Sequence, residues 1–479
     1  MSRLIKDDTL TVFYSVLRMT IKRNHQGYPL MTTKLTTTLL GSALALGAAA
    51  LPATAQDMDW TAYSGEEINV LMISHQFVDS IRPLIPQFEE LTGITVNVEV
   101  LAEQAGNEKI LADLSTRAGT VDVFMTSPLN NWQYATAGWL EPLDGFLENP
   151  ALTDADAYNV GDFYEGILNA NRWTREPLAG MGEGPLWGLP INSESYLLAY
   201  RPSVFDELGL EVPETYADLL AMADKLDTGS AQYGLITRFD TYWDLTYLTF
   251  GTMLQSYGVQ MINDAGELGI CSDASVQATD DFVTLIQTAS PEGAGSFTWY
   301  EALQGFSSGQ YAMSLNEADL FAPVYEDPEQ STITDDVAYA PTPLGPEGER
   351  AAGAWIWSMS MNAASDNKDA AWLFLEWATS PDTMVATHLA GNMNPVRASA
   401  WENAEVAALV ESWGSEPGQY REVTGTMAEV AAIRFPPHPE LTRALDRWAA
   451  AIQDVYFNGT DTREALCAAQ DEIQSMLGL

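Results

Sequence analysis

The chain has 479 residues, a formal net charge of −44 at pH 7 and two cysteines. An acidic surface of this strength repels nucleic acids and anionic lipids, so it excludes both as partners. Two explanations of the acidity stay open, namely solubility in a salty medium and capture of a cationic ligand by an acidic cleft. The length predicts two or three lobes, each with a substantial core.

The N-terminal part has the layout of a secretory signal peptide. An apolar run at residues 39–51 follows Met31 and Lys34 and precedes small residues at 53–55. This run is too short to span a bilayer, and its alternative interpretation is a buried internal helix. We predict a signal peptide at 31–55 and an upstream extension, not native, at 1–30. Because Gln56 is not a cysteine, we expect a protein without a lipid anchor that diffuses in the periplasm.

The next segments alternate between strands and helices. Residues 68–73 (INVLMI), 94–101 and 121–125 have strand patterns, and helical patterns lie between them at 80–91 and around 110–114. Such alternation indicates βαβ units and a mostly parallel sheet. Ligands of these sheets sit beyond the carboxyl ends of the strands. That position favours His75 and Gln76 after the first strand and the segment 127–132 after the third.

A second set of elements follows. An extended segment at 195–200 precedes a run of helices, and another strand is predicted at 354–361 after a stretch rich in proline and glycine. The C-terminal part is helical and rich in Ala, Trp and Leu. Cys271 and Cys467 could form one disulfide in an oxidising compartment, with two buried free thiols as the alternative.

The sequence lacks the usual signatures of catalysis. It has no Gly-x-Ser-x-Gly elbow, and His75, His388 and His438 have no metal-ligand spacing. Pairs of carboxylates suited to glycoside cleavage arise by chance in so acidic a chain. We therefore predict a protein that is not an enzyme and needs no cofactor or metal. A secreted carbohydrate-active hydrolase remains the alternative.

Several segments, in their order, resemble one transport family. They are residues 112–114 (ADL) with 121–124 (VDVF), 137–143 (AGWLEPL), 186–190 (LWGLP) with 193–201 (SESYLLAYR), 311–315 (YAMSL), and 353–358 (GAWIWS) with 363–372 (AASDNKDAAW). The mature chain resembles the extracellular solute-binding proteins of carbohydrate-type ABC importers, and receptors for polyols such as sorbitol and mannitol in particular.

This resemblance implies an α/β fold of the two-lobed periplasmic binding protein type, type II-like, with a cleft between discontinuous lobes. Residues 56–195 and 354–395 would form the N-terminal lobe, and residues 196–353 and 396–479 the C-terminal lobe. Hinge strands would join the lobes, which close on the ligand. The implied function is capture of a polyol or small saccharide by a monomer that delivers it to the permease subunits of the importer.

The resemblance also suggests ligand-binding residues. Glu194 lies where relatives carry a ligand-binding glutamate, with a solvated carboxylate as the alternative. Asn316, Glu317 and Asp319 follow a strand after which polyol receptors carry an aspartate. Carboxylates and amides are suited to this task because they form directional hydrogen bonds with hydroxyl groups.

Further candidates come from residue type and position. Arg238, Asp240 and Trp243 follow the strand 234–237, although Trp243 could simply pack in a helix. We expect Trp355 and Trp357 to face opposite sides of their strand and assign Trp355 to the cleft. The N-terminal lobe adds these candidates: His75, Gln76, Glu103, Asn130 and Trp132. A receptor for polyamines or another cationic solute is a further alternative, against which Arg238 argues.

Overall fold

A computed structural model describes residues 58–226, 229, 231–263 and 265–479. The extension predicted at 1–30 and the signal peptide predicted at 31–55 lie outside the described residues. None of the described helices combines the length and the hydropathy that a membrane span requires.

The described strands form one mixed sheet of nine strands in the order β2-β1-β3-β8-β4-β6-β5, with β7 paired to β4 and β9 paired to β8. Strands β1, β2 and β3 run parallel, whereas β8 and β4 run antiparallel to their neighbours in the centre. The expectation of a mostly parallel sheet is therefore wrong. The two central strands, β4 and β8, run antiparallel to each other, and each also runs antiparallel to its other neighbour in the centre of the sheet. The strands are β1 Glu67–Ile73, β2 Thr95–Leu101, β3 Val123–Thr126, β4 Leu189–Tyr200, β5 Tyr233–Ile236, β6 Tyr311–Ala318, β7 Ala338–Ala340, β8 Ala352–Met361 and β9 Ala431–Ala432.

Helices cover the sheet, and a π-helical segment at Leu245–Thr249 leads into the tenth of them. Short 3-10 turns lie at Arg82–Leu84, Val160–Asp162, Ala294–Ser296 and Asp319–Phe321. The α-helices are α1 Gln76–Ile81, α2 Ile85–Thr92, α3 Glu103–Thr116, α4 Pro128–Thr136, α5 Asp144–Leu147, α6 Ala155–Tyr158, α7 Glu165–Asn169, α8 Pro202–Leu208, α9 Tyr216–Leu226, α10 Phe250–Ser256, α11 Asp273–Ala289, α12 Trp299–Ser307, α13 Ala322–Tyr325, α14 Lys368–Ala378, α15 Pro381–Leu389, α16 Ala398–Trp401, α17 Ala404–Glu411, α18 Gln419–Ala428, α19 Leu441–Asn458 and α20 Thr462–Leu477.

The long strand β4 joins the two ends of the sheet. Its first half pairs with β8, from Leu189 opposite Met359 to Ser195 opposite Ala354. Its second half, from Tyr196 onward, pairs with β6 and β7. Helix α3 packs on β1 and β2 at the first end, whereas α12 packs on β5 and β6 at the second end. The strands β4 and β8 therefore lie where a hinge between two lobes is expected.

The contacts of the segment that follows α15 indicate where the lobes end. The guanidinium of Arg397 donates to the carbonyl oxygens of Thr379 and Asn159, and Ser399 hydrogen-bonds to Asp162. Helices α16 and α17 pack against α15. These contacts favour a boundary later than residue 396 for the last segment, and the limits of both lobes stay predictions.

A disulfide joins Cys271 and Cys467, whose Cα atoms lie 4.8 Å apart. Cys271 directly precedes the turn into α11, and Cys467 lies in α20. Since α20 packs on α11, the bond fixes the C-terminal helix to the second end of the sheet.

Candidate functional site

A small cavity lies in the middle of the sheet, between its two ends. Its volume is about 20 Å³, which is room for about one water molecule, so its walls lie close together. Aromatic and ionisable side chains dominate its lining. The lining residues are His75, Glu103, Glu194, Arg238, Trp243, Asp244, Leu248, Trp299, Leu320, Phe321, Trp355 and Trp357.

Two glutamates in this lining are each held by a tryptophan. Glu103 accepts a hydrogen bond from the indole N–H of Trp299 at 3.0 Å, and Glu194 accepts one from Trp357 at 2.7 Å. Glu194 also accepts from the hydroxyl of Tyr196 at 3.0 Å. Burial raises the pKa of Glu103 to about 8 and that of Glu194 to about 7, because desolvation disfavours the charged form. Near neutral pH these carboxyl groups can therefore both donate and accept hydrogen bonds.

The only cation in the lining, Arg238, is neutralised within the protein. Its guanidinium donates to Glu317 from Nε at 3.0 Å and from Nη2 at 2.7 Å, and it reaches Asp244 at 3.3 Å. The backbone N–H of Arg238 also donates to Glu317 at 2.6 Å. Glu317 itself does not line the cavity. Its carboxylate positions the arginine, which leaves the lining close to electrical neutrality.

Tryptophan rings form the apolar walls. Trp355 stacks on Trp243 with ring centroids 4.5 Å apart and an interplanar angle of 25°. Trp355 also meets Trp357 edge to face at 5.4 Å, and both residues line the cavity. The expectation that these two tryptophans face opposite sides is wrong, because residues two positions apart on a strand project from the same face.

His75 offers a hydrogen-bond donor to the cavity. Its Nδ1 accepts from the N–H of Phe77 at 3.0 Å, which caps the N-terminus of α1. Burial lowers the pKa of this imidazole to about 3, so the ring is neutral and its proton sits on Nε2. Nε2 is buried and has no hydrogen-bond partner among the described residues. A hydroxyl group of a bound solute could supply that partner.

The structure thus brings together His75, Glu103, Glu194, Arg238, Trp243 and Trp355 from the predicted set. The remaining predicted residues do not line this cavity, although several support its walls. These residues are Gln76, Asn130, Trp132, Asp240, Asn316, Glu317 and Asp319.

Asp319 faces a different space. Its carboxylate accepts hydrogen bonds from Ser195, from the backbone N–H at 3.1 Å and from Oγ at 2.6 Å. Ser195 and Asp319 line a second cavity of about 540 Å³, together with Ala354 and Ile356. Glu194 and Trp355 line this second cavity as well, so the two cavities adjoin at these two side chains. The turn that starts at Asp319 presents Leu320 and Phe321 to the first cavity instead.

Other candidates that do not line the cavity lie in the structure around it. Asn316 has a positive φ of 50°, and its amide donates to the carbonyl oxygen of Thr249 at 3.1 Å. Trp132 lies within α4 and is buried in the core, and the Asn130 amide donates to Asn107 at 3.4 Å. Asp240 is largely buried, and burial raises its pKa to about 8.

Five lining residues are absent from the predicted set, and Trp357 lines the cavity instead of facing away from it; the five are Asp244, Leu248, Trp299, Leu320 and Phe321. One signal for Trp299 was present. Thr298 and Glu301 form a capping box at the start of α12, a pattern that marks a helix beginning directly at a loop. No feature of the sequence indicates that Trp299, at the start of this helix, contacts Glu103, which lies 196 positions away.

Within the described part of the chain, no group of three or more His, Cys, Asp or Glu side chains is arranged to hold a metal ion. The site combines neutral or neutralised polar groups with flat indole walls. Such an arrangement suits an uncharged, hydroxyl-bearing solute, since hydroxyls pair with carboxyl and imidazole groups while C–H faces pack on the indoles.

Comparison with known proteins agrees with this chemistry. The erythritol/L-threitol-binding protein of Mycolicibacterium smegmatis is 31% identical over 414 residues, which is 85% of both chains. A mannitol-binding protein of Pseudomonas aeruginosa is 26% identical over 77% of this chain and 80% of its own.

Solved structures show the same fold. A solute-binding protein from Agrobacterium radiobacter in complex with ribitol aligns with a TM-score of 0.75 at 23% identity, covering 86% of this chain and 99% of its own. One from Agrobacterium vitis with bound D-mannitol aligns with a TM-score of 0.73 at 21% identity, covering 86% and 98%. A family model described as bacterial extracellular solute-binding protein matches residues 74–385. The chain therefore belongs to the family of bacterial extracellular solute-binding proteins and has its two-lobed fold.

Proposed function

We propose that this chain is the solute-capturing receptor of an ABC importer and that its solute is a short polyol. The observation that carries the proposal is the convergence of Glu103, Glu194 and the Nε2 of His75 on one cavity walled by tryptophans. The similarity to the erythritol/L-threitol-binding protein, over most of both chains, supports the choice of polyol class.

The electrostatics of the cavity favour an uncharged solute. Arg238 is already paired with Glu317 and Asp244, and burial raises the pKa of Glu103 to about 8 and that of Glu194 to about 7, which lowers the negative charge of both groups near neutral pH. A polyamine would have to place ammonium groups beside the Arg238 guanidinium. A polyol instead supplies several hydroxyls that can donate and accept with each of these groups.

Capture requires movement, because side chains from both ends of the sheet enclose the cavity and block the entry of a polyol. The two proposed lobes, of which the second takes up the last segment of the chain from a point after residue 396, separate at β4 and β8 to admit the solute and then close. We infer that the closed form is recognised by the permease subunits. We also propose that the receptor works as a monomer in the periplasm after cleavage of a signal peptide at 31–55, and that it carries out no chemistry.

A thermal-unfolding panel tests this function. Erythritol, L-threitol, ribitol, D-mannitol, D-tagatose, maltose and spermidine are each titrated, since a ligand that binds only the folded state raises the unfolding temperature. We expect the short polyols to stabilise the protein most and to be recovered unchanged by mass spectrometry. Stabilisation by spermidine alone, or cleavage of maltose, would contradict the proposal.

A further inference from the structure

Three hydrogen bonds connect the two ends of the sheet beside the cavity. The amide of Asn107 donates to the hydroxyl oxygen of Tyr242 at 3.3 Å. The backbone N–H of Glu103 donates to the hydroxyl oxygen of Tyr300 at 3.2 Å, and the indole of Trp299 donates to the carboxylate of Glu103. All three join the first two turns of α3 to side chains on the other side of the cavity.

The partners belong to elements that a hinge motion would separate. Helix α3 packs on β1 and β2, which form the first end of the sheet. Tyr242 follows β5, and Tyr300 lies in α12, which packs on β5 and β6 at the second end. When the cavity walls separate, these bonds must break, because α3 moves with the strands of the first end and α12 moves with those of the second end. They therefore add stability to the closed form alone.

One of these contacts is separate from the solute site. Neither Asn107 nor Tyr242 lines the cavity, whereas Glu103 and Trp299 do. The Asn107 carbonyl oxygen accepts from the amide of Asn130 at 3.4 Å, which orients the Asn107 amide toward Tyr242. The Tyr242 ring lies against the wall residue Trp243, with centroids 5.3 Å apart. The pair thus joins the two sides without lining the cavity.

We propose that Asn107 and Tyr242 form a latch, meaning a direct hydrogen bond across the cleft that sets the balance between its open and closed forms. This proposal rests on the proposed function and deepens it, because the latch tunes solute affinity without touching the solute. The observed affinity scales with the fraction of the receptor that is competent to hold the solute. A latch that stabilises the closed form raises this affinity by the same factor for every solute.

Binding kinetics of the whole protein with erythritol and L-threitol test the latch. In Tyr242→Phe and Asn107→Ala we expect the Kd for both polyols to rise about fivefold, the usual value of one net hydrogen bond. The dissociation rate should rise, and the ratio of the two Kd values should stay at that of the unmodified protein. The double variant should be no weaker than either single variant, since both remove the same bond.

The matched control is Tyr257→Phe. It removes a tyrosine hydroxyl that donates to Asp281 at 2.9 Å, and both residues lie at the second end of the sheet. We expect this variant to bind both polyols with unchanged Kd. A change in the ratio of the two Kd values for the Asn107 and Tyr242 variants, or unchanged affinity in both, would overturn the latch.

A distance measurement separates failure of the latch from failure of the proposed function. Spin labels are placed on the exposed positions Ala112→Cys in α3 and Gln304→Cys in α12. Without added polyol, Tyr242→Phe should shift the measured distances to longer values, whereas Tyr257→Phe should leave them unchanged. If the unmodified protein binds no polyol, the proposed function fails, but the distances still decide on the latch. Identical distances in all three proteins would refute it.

Discussion

The carboxylate of Glu103 and the indole of Trp299 meet across the cavity at 3.0 Å, although they are 196 positions apart in the chain. On β4 and β8, Glu194 and Trp357 repeat the same chemistry at 2.7 Å. In both pairs the indole N–H orients a buried carboxyl group, and both partners line the cavity. Each pair thus provides one carboxyl group and one aromatic ring. Recognition of a polyol needs both, because carboxyl groups pair with hydroxyls and aromatic rings pack on C–H surfaces.

The stability of the protein should depend on the protonation of Glu103. Its pKa is about 8 in the fold against an ordinary value of 4.5, because burial disfavours the carboxylate. The folded state therefore binds the proton more tightly, and the stability that this provides is present below pH 4.5 and is lost as the pH rises to about 8. Glu194 and Asp319, each with a pKa of about 7, act in the same direction.

Urea unfolding between pH 5 and pH 8.5 measures this dependence. We expect the free energy of unfolding of Glu103→Gln to fall less steeply with pH than that of the unmodified protein. The control is Glu90→Gln, an exposed change that should leave the slope unaltered. Equal slopes in all three proteins would show that Glu103 does not titrate in this range.

Substitution of Glu194 by Ala should weaken polyol binding more than tenfold. The change removes a carboxyl group from the cavity and leaves the Trp357 indole and the Tyr196 hydroxyl without their acceptor. We also expect the apo protein to lose about 1–3 kcal/mol of stability, the usual cost of a buried unpaired donor. Calorimetric titration with erythritol and urea unfolding measure the two effects. Glu194→Gln, which keeps an acceptor oxygen, should retain more of the stability than Glu194→Ala.

Trp355 should report solute binding through its fluorescence. It lines the cavity and stacks on Trp243, so a solute that contacts this wall changes its surroundings. In Trp355→Phe we expect the fluorescence change on erythritol addition to fall and the Kd to rise several-fold, since a smaller ring provides less stacking surface. Trp139→Phe alters a tryptophan outside the lining and should affect neither quantity. An undiminished signal in Trp355→Phe would place the solute elsewhere.

Arg238 should be required for folding stability as well as for the solute site. Replacing it by Met leaves the buried carboxylates of Glu317 and Asp244 without their cation, at a cost of about 3–5 kcal/mol. Urea unfolding should show a partial recovery in the double variant Arg238→Met with Glu317→Gln, because the second change removes one unpaired charge. Arg443→Met breaks an exposed ion pair with Glu440 and should have little effect.

Loss of the disulfide should destabilise the protein without altering the site. The bond closes a loop with a sequence separation of 196, which in the chain-entropy model contributes roughly 4–5 kcal/mol. We expect the variant with Cys271→Ser and Cys467→Ser to unfold at lower urea concentration. Its Kd for erythritol should equal that of the unmodified protein, since neither cysteine lines the cavity. A higher Kd, which means weaker binding, would indicate that the position of α20 influences the cleft.

Local pattern was enough to predict the strands at the first end of the sheet. Alternating apolar residues placed β1, β2 and β3 within a few residues of their observed bounds. The rule that ligands lie beyond strand ends selected His75, which lines the cavity. Resemblance to known receptors selected Glu194, which lines it as well. Each choice depends on a residue type and on its position within one element, and the role of both residues in solute binding stays a prediction.

Tertiary structure alone decided which candidates share the cavity. The side-chain direction after β6 depends on the turn at Asp319, which is held by Ser195 from another strand. That contact directs Asp319 to the second cavity, while Glu317 becomes the partner of Arg238 rather than part of the lining. Trp299 reaches Glu103 only because α12 packs beside the far end of the sheet. The sequence determined the chemical groups near the cleft, whereas long-range packing decided which of them line the cavity.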